Sequence, residues 1–209
     1  LENTFKQNGK LEFNNVSLES GVAKNAVGFS AVAGDVNGDG FLDVYVASYN
    51  HYGRITPDSW FRATNGTPNL LFINQGDGTF REEAAKWGVD DRRWSYAAEF
   101  ADVNGDGRID LYVANDFGEK ALYINRGDKF VDEAAERGVL DPGNGMGVSF
   151  GDYNNDGMVD AAHYVMWRKR FGAGFPPTAY VTWRSNFGEA EGGGGNGALA
   201  QALIAMLPA

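Results

Sequence analysis

The 209 residues carry a net charge of −10 and no cysteine, which argues against a nucleic-acid partner and excludes disulfides, zinc–thiolate sites and thiol catalysis. Gly occurs 29 times, about twice its usual share, implying many tight turns, while the apolar content is enough for a packed core in the first 190 residues. No stretch approaches the roughly 20 apolar residues of a membrane helix, and a chain beginning at Leu1 with no visible signal peptide reads as a processed product or a piece of something longer.

Taken in chain order, the elements fall into repeated phrases. The first, LEFNNVSLESGV (11–22), returns as GTFREEAAKWGV (78–89) and DKFVDEAAERGV (128–139), aligned on Phe13, Phe80 and Phe130 and on a closing Gly-Val. In the second and third copies it predicts a helical turn ended by Gly. The next, GDVNGDGFLDVYVAS (34–48), returns as ADVNGDGRIDLYVAN (101–115) and begins again as GDYNNDGMVD (151–160). Its VYVAS and LYVAN runs are β-branched and aromatic, as strands are. LLFINQGDGTF (70–80) and ALYINRGDKF (121–130) read as hairpins with Gly-Asp in the turn. The tripeptide Arg126-Gly127-Asp128 aligns with Gln75-Gly76-Asp77 and so follows from turn chemistry. Between the first two units the extra length is YNHYGRITPDSWFRATNGTPN (49–69), which reads as a long surface loop.

The acidic loops start at Asp35, Asp102 and Asp152, 67 and then 50 residues apart. Side-chain oxygens fall at positions one, three and five, with Gly at six and Asp at nine. They are Asp35, Asn37, Asp39 and Asp43, then Asp102, Asn104, Asp106 and Asp110, then Asp152, Asn154, Asp156 and Asp160. The carbonyls of Phe41, Arg108 and Met158 at position seven complete each set. Calcium takes six to eight hard oxygen ligands, and alternating carboxylates on a tightly wound loop converge on one point. An acidic, solvated turn would account for one copy, but three copies with one ligand spacing favour a cation. Position twelve of an EF-hand holds a bidentate Glu. Here it is Val46 or Val113, inside a strand-like run, so the first two loops are expected to be strand–loop–strand, closed by the Asp at nine.

This pattern, with the hairpin phrase and F…E…A…GV, resembles the FG-GAP/VCBS repeat family, most closely the repeats associated with ASPIC/UnbV domains in bacterial secreted proteins. The resemblance covers about residues 5–160. It implies β-propeller blades with calcium in a loop between strands, usually about seven blades to a ring. This chain holds about two and a half units, which leaves edge strands and terminal faces to be covered by a longer propeller, by the chain itself or by association.

After Asp160 the third loop continues as AAHYVMWRKRFG, with Tyr164, Trp167 and Phe171 on one helical face. YVMWRKRFG (164–172) is echoed by YVTWRSNFG (180–188), a second repeat with its own period. Loop followed by helix, twice, resembles a dockerin type I module over about 151–188. That resemblance implies calcium in the third loop and a cohesin-like protein partner. His163 stands where that family places Asp, and imidazole is a poor ligand for calcium, so the third site is expected to be weaker than the others. The second half has no DxNxDG loop, and a plain helical hairpin capping the last blade is the structural alternative. Residues 189–209 read as a Gly-rich linker and a short apolar tail.

The expectation is a mainly β chain. Residues 1–150 form a partial β-propeller-like repeat array with calcium loops, and 151–188 a small C-terminal loop–helix/helix hairpin. No nucleophile pattern surrounds His51 or His163, and the conspicuous carboxylates are committed to Ca2+, so no catalysis is expected. The function read from this is an extracellular or cell-surface bacterial calcium-binding, non-catalytic binding or scaffold segment with a protein-attachment module. Its partner would be a cohesin-like protein or a cell-surface polysaccharide. The alternative is the non-catalytic portion of a secreted polysaccharide-degrading enzyme, and a purely structural cap is a third possibility.

Overall fold

The computed structural model describes residues 2–3, 5–50 and 55–150. Short elements open the chain: β1 (Glu2–Asn3), α1 (Phe5–Asn8) and β2 (Phe13–Asn14), with β1 antiparallel to β2. Two four-stranded antiparallel sheets follow, each a simple up-and-down meander. The first blade is β3 (Gly28–Gly34), β4 (Asp43–Ser48), β5 (Leu70–Asn74) and β6 (Phe80–Glu82). After α2 (Ala84–Trp87) comes the second: β7 (Ser95–Ala101), β8 (Asp110–Asn115), β9 (Ala121–Asn125) and β10 (Phe130–Asp132). The architecture is mainly β and propeller-like, as the repeats imply. Among the described residues no helix is long and apolar enough to cross a membrane.

Each recurring phrase has a local cause. In the F…E/D phrase the acid ties the outer strand to its neighbour. Glu82 accepts the Leu71 and Ala84 N–H groups, and Asp132 accepts those of Leu122 and Ala134. The closing glycines Gly88 and Gly138 sit at φ 73° and 69°, the left-handed conformation that ends a helical turn without a Cβ clash. The predicted turns are both present, the first as α2 and the second as a hydrogen-bonded turn over 134–138.

The blades pack face to face. Tyr45, Ala47, Leu71 and Ile73 of the first meet Ala98, Leu111, Val113 and Tyr123 of the second, with Trp87, Val89 and Phe130 closing the outer edge. Period-two alternation therefore puts Leu111 and Val113 on this interface. Tyr112 and Ala114 point to the opposite face, where they pack with Leu122, Ile124, Val139 and Phe150. The second blade is buried on both faces, whereas Val44 and Val46 on the outer face of the first are half-buried. An ionic clamp reinforces the junction. Arg93 donates to Asp91, Asp132 and the Tyr123 hydroxyl, and that hydroxyl donates to Asp91 at 2.6 Å.

Corresponding positions at the two blade junctions use different chemistry. In the first blade, Asn69 accepts the Ser48 N–H at 2.7 Å and donates to the Ser95 hydroxyl at 2.8 Å. The equivalent residue in the second blade is Lys120, only 4% exposed. Its stem lies over Gly145, where an added Cβ would come within 2.6 Å of the Lys120 Cε. Burial pushes the Lys120 ammonium below its ordinary value, partly offset by Asp141 and Asp116. Between that lowered value and the ordinary 10.5 the unfolded chain binds more protons, so stability rises with pH across this window. Lys120→Met is expected to remove that alkaline rise and to leave neutral-pH stability unchanged or up by about 1 kcal/mol. Urea titrations at neutral and alkaline pH check both statements. A marked loss at neutral pH would show that the ammonium stabilises the junction.

Candidate functional site

The two described acidic loops join β3 to β4 and β7 to β8, at the same end of neighbouring blades. Both fold by one scheme. Asp35 Oδ1 accepts the N–H groups of Gly38 and Asp39, and Oδ2 accepts that of Gly40. Asp102 does the same with Gly105, Asp106 and Gly107. Asn37 and Asn104 each accept the N–H of the Asp two residues on, and each donates its amide back to that carboxylate. Gly40 and Gly107 have φ of 87° and 83° with nothing near a would-be Cβ, so conformation rather than space demands glycine there.

The Asp at position nine, read from its spacing as a ligand, also has an architectural role. Asp43 and Asp110 are 0% and 1% exposed. Asp43 accepts the Val36 N–H at 3.0 Å and the Asn74 N–H at 2.8 Å. Asp110 accepts those of Val103 and Asn125 at the same two distances. Each thus pins the loop start and the neighbouring strand end to the base of its own strand. Burial pushes both carboxyls above the usual range. The backbone donors pull them back, and the nearby charges of Asp39 and Asp35, or Asp106 and Asp102, add to the rise.

Phe41 and Arg108 hold position seven, as expected. The Phe41 ring lies against Gly76 in the adjacent hairpin, 2.9 Å from a would-be Cβ. Arg108 donates to Asp106 at 2.5 Å and through Nε to the Asn125 carbonyl at 3.1 Å. The second loop therefore carries an internal counter-charge where the first has an aromatic ring. The Arg108 backbone N–H is the main cause holding Asp106 below the usual carboxylate range.

The donor chemistry of the loops suits a hard divalent cation, since each offers only carboxylate, amide and carbonyl oxygens. In the geometry present the side-chain oxygens at positions one, three and five are turned onto loop N–H groups, and among the described residues no three His, Asp or Glu side chains gather closely enough to share an ion. The third loop, Asp152, Asn154, Asp156, Met158 and Asp160, lies outside the described residues, as do His163 and the expected helical hairpin of 161–188.

The 49–69 insertion is more than a surface loop. Over its described parts, 49–50 and 55–69, it has no strand or helix, but it is anchored at the end of the blades opposite the acidic loops. Ala63 donates its N–H to Phe117, Gly66 to Arg92 and Thr67 to Tyr49. Tyr49, Ala63 and Trp94 form a buried cluster with Tyr96 and Phe117 packed against it. The Tyr49 hydroxyl donates to Asp116 at 2.5 Å. A pairing shift at Phe29 and Tyr96, the same position in both blades, turns these rings toward each other at 5.0 Å. Trp60 and Phe61 remain exposed at the rim.

Two residues that hold the site together, Asn74 and Asn125, are absent from the sequence reading. The signal was present: both hairpin phrases place Asn at the same point, in LLFIN and ALYIN.

Two adjacent four-stranded blades, each with a glycine-punctuated acidic loop between its first and second strands, define a propeller-like β-repeat protein. The chain belongs to the FG-GAP repeat family. The profile of the FG-GAP-like repeat matches residues 57–113 and 102–162, and that of the FG-GAP repeat matches 27–59. Over 117 residues the chain is 32% identical to cartilage acidic protein 1 of Mus musculus and of Homo sapiens, and 30% identical to that of Xenopus tropicalis. The matched part is 56% of this chain and only 15–16% of those proteins.

Proposed function

We propose that this chain is an extracellular, calcium-binding, non-catalytic repeat segment that serves as a binding scaffold. The observation that carries the reading is the shared backbone hydrogen-bond scheme of the two acidic loops, each with oxygen ligands in register at positions one, three, five, seven and nine. Chance turn chemistry gives an Asp-Gly turn; it does not repeat a whole donor set in register in adjacent blades. Asp35, Asn37, Asp39 and Asp43, with the Phe41 carbonyl, would hold the first ion. Asp102, Asn104, Asp106 and Asp110, with the Arg108 carbonyl, would hold the second. When bound, calcium neutralises the clustered carboxylates and cross-links the loop. The third loop is a further candidate, and 151–188 is proposed as an attachment module of dockerin type for a cohesin-like protein. The relatives' name speaks of cartilage and of acidity, which is in keeping with an extracellular setting.

Calorimetric melting with calcium and with excess chelator tests this. A site at a hundred times its dissociation constant adds about 2.7 kcal/mol. Two such loops should then raise the melting temperature by about 10 °C or more in a chain of this size. Magnesium, which demands a smaller and more regular shell, is expected to substitute poorly. Superimposable melting curves with and without chelator would end the calcium reading.

A further inference from the structure

We propose that Asn125 couples the two acidic loops, so that a cation ordering either loop strengthens binding at the other; this rests on the calcium reading above. Asn125 is 0% exposed and belongs to the second blade. Its Nδ2 donates to the carbonyl of Val36, 89 positions away at the second residue of the first loop, at 2.8 Å. The same Nδ2 donates to Ile109 of the second loop at 3.1 Å, and its Oδ1 accepts the Gly127 N–H at 2.8 Å. Val36 donates its N–H to Asp43, and the Asn125 N–H goes to Asp110. The result is an unbroken path: Asp43, Val36, Asn125, Asp110. Both ends are the buried position-nine carboxylates of the two loops.

The path has no slack. Val36 is itself part of the core between the blades, with Ile109 packed against that core. Every polar atom of the Asn125 side chain is used, and a buried amide left unpaired is costly. The equivalent Asn74 donates to Leu42 of its own blade at 3.1 Å, so Asn125 shows what this repeat position does once a preceding blade is in place. A cation in the second loop would fix Ile109 and Asp110, two anchors of Asn125. That would hold Nδ2 on Val36 and lessen the freedom the first loop loses when it binds.

The test is a calcium titration of the isotope-labelled full chain by NMR. The amides of Gly38 and Gly40 report the first loop, and those of Gly105 and Gly107 the second. Asp106→Asn weakens the second loop while keeping an acceptor oxygen. It is expected to move half-saturation of the first loop to about fivefold higher calcium. The shift should survive high salt, which screens through-space effects between exposed charges. In an Asn125→Ala background the same substitution should no longer shift the first loop. An unshifted first loop in Asp106→Asn overturns the coupling, as does an equal shift with Asn125 removed. If Asn125→Ala does not fold, the salt-resistant shift in Asp106→Asn decides alone. Glycine amides that ignore calcium altogether would overturn the calcium reading, and the coupling with it.

Discussion

Asp110→Ala is expected to destabilise the protein by about 3–5 kcal/mol even in excess chelator. The carboxylate is 1% exposed and accepts two backbone N–H groups, from Val103 and Asn125. Alanine leaves both donors buried without a partner, and each such group costs roughly 1–3 kcal/mol. Some of this loss is offset, because burial already disfavours the charged form of Asp110. The contrast is Asp106→Ala. Asp106 is exposed, its bonds stay within the loop, and its loss should cost within about 1 kcal/mol in chelator. Equilibrium urea unfolding of both variants, with calcium and with chelator, separates architecture from ion binding. Equal costs in chelator would mean that position nine serves the ion and not the blade.

Trp94→Ala is expected to cost about 3–5 kcal/mol. The ring is 1% exposed and meets Tyr49 and Phe117 edge-on at 5.0 and 5.7 Å. Its Nε1 donates to Asn65 of the insertion at 2.7 Å. The chain at Gly66 approaches so closely that an added Cβ would lie 3.0 Å from the Trp94 nitrogen. Trp94 also has φ of 59°, unusual for a residue with a side chain. That permits a control. Trp94→Gly loses the same ring but relieves the left-handed backbone, so it should be about 1 kcal/mol more stable than Trp94→Ala. Limited proteolysis of both variants should cut within 55–69 faster than in the native chain. A loss below about 1 kcal/mol would mean that the insertion is held by its backbone bonds alone.

The repeat phase, the two hairpins, the glycine-closed turns and the turns of the first two acidic loops are legible in the residues alone. These elements are built from bonds that close within a few residues, such as Gly38 and Gly40 to Asp35 or Gly76 to Asn74. Turn chemistry is local, so spelling it twice in one chain makes it legible. The strands were legible for a similar reason, since the VYVAS and LYVAN runs are β-branched and aromatic, a preference that needs no knowledge of the partner.

Contacts between residues far apart in the chain are legible only in the fold. Asp43 and Asp110 read as ligands by spacing; burial showed that they also hold their strands through backbone donors. The 49–69 segment reads as a loop from its Gly and Pro content, and only the rings of Trp94 and Phe117 show what anchors it. Lys120 is an ordinary charged residue until it is seen lying over Gly145, where the corresponding junction between the two blades pairs Asn69 with Ser95. Asn125 finds Val36 across 89 positions, and no local propensity specifies a contact of that span. Such contacts exist because two blades bury their faces together, and a polar group buried at the seam is costly when left without a partner.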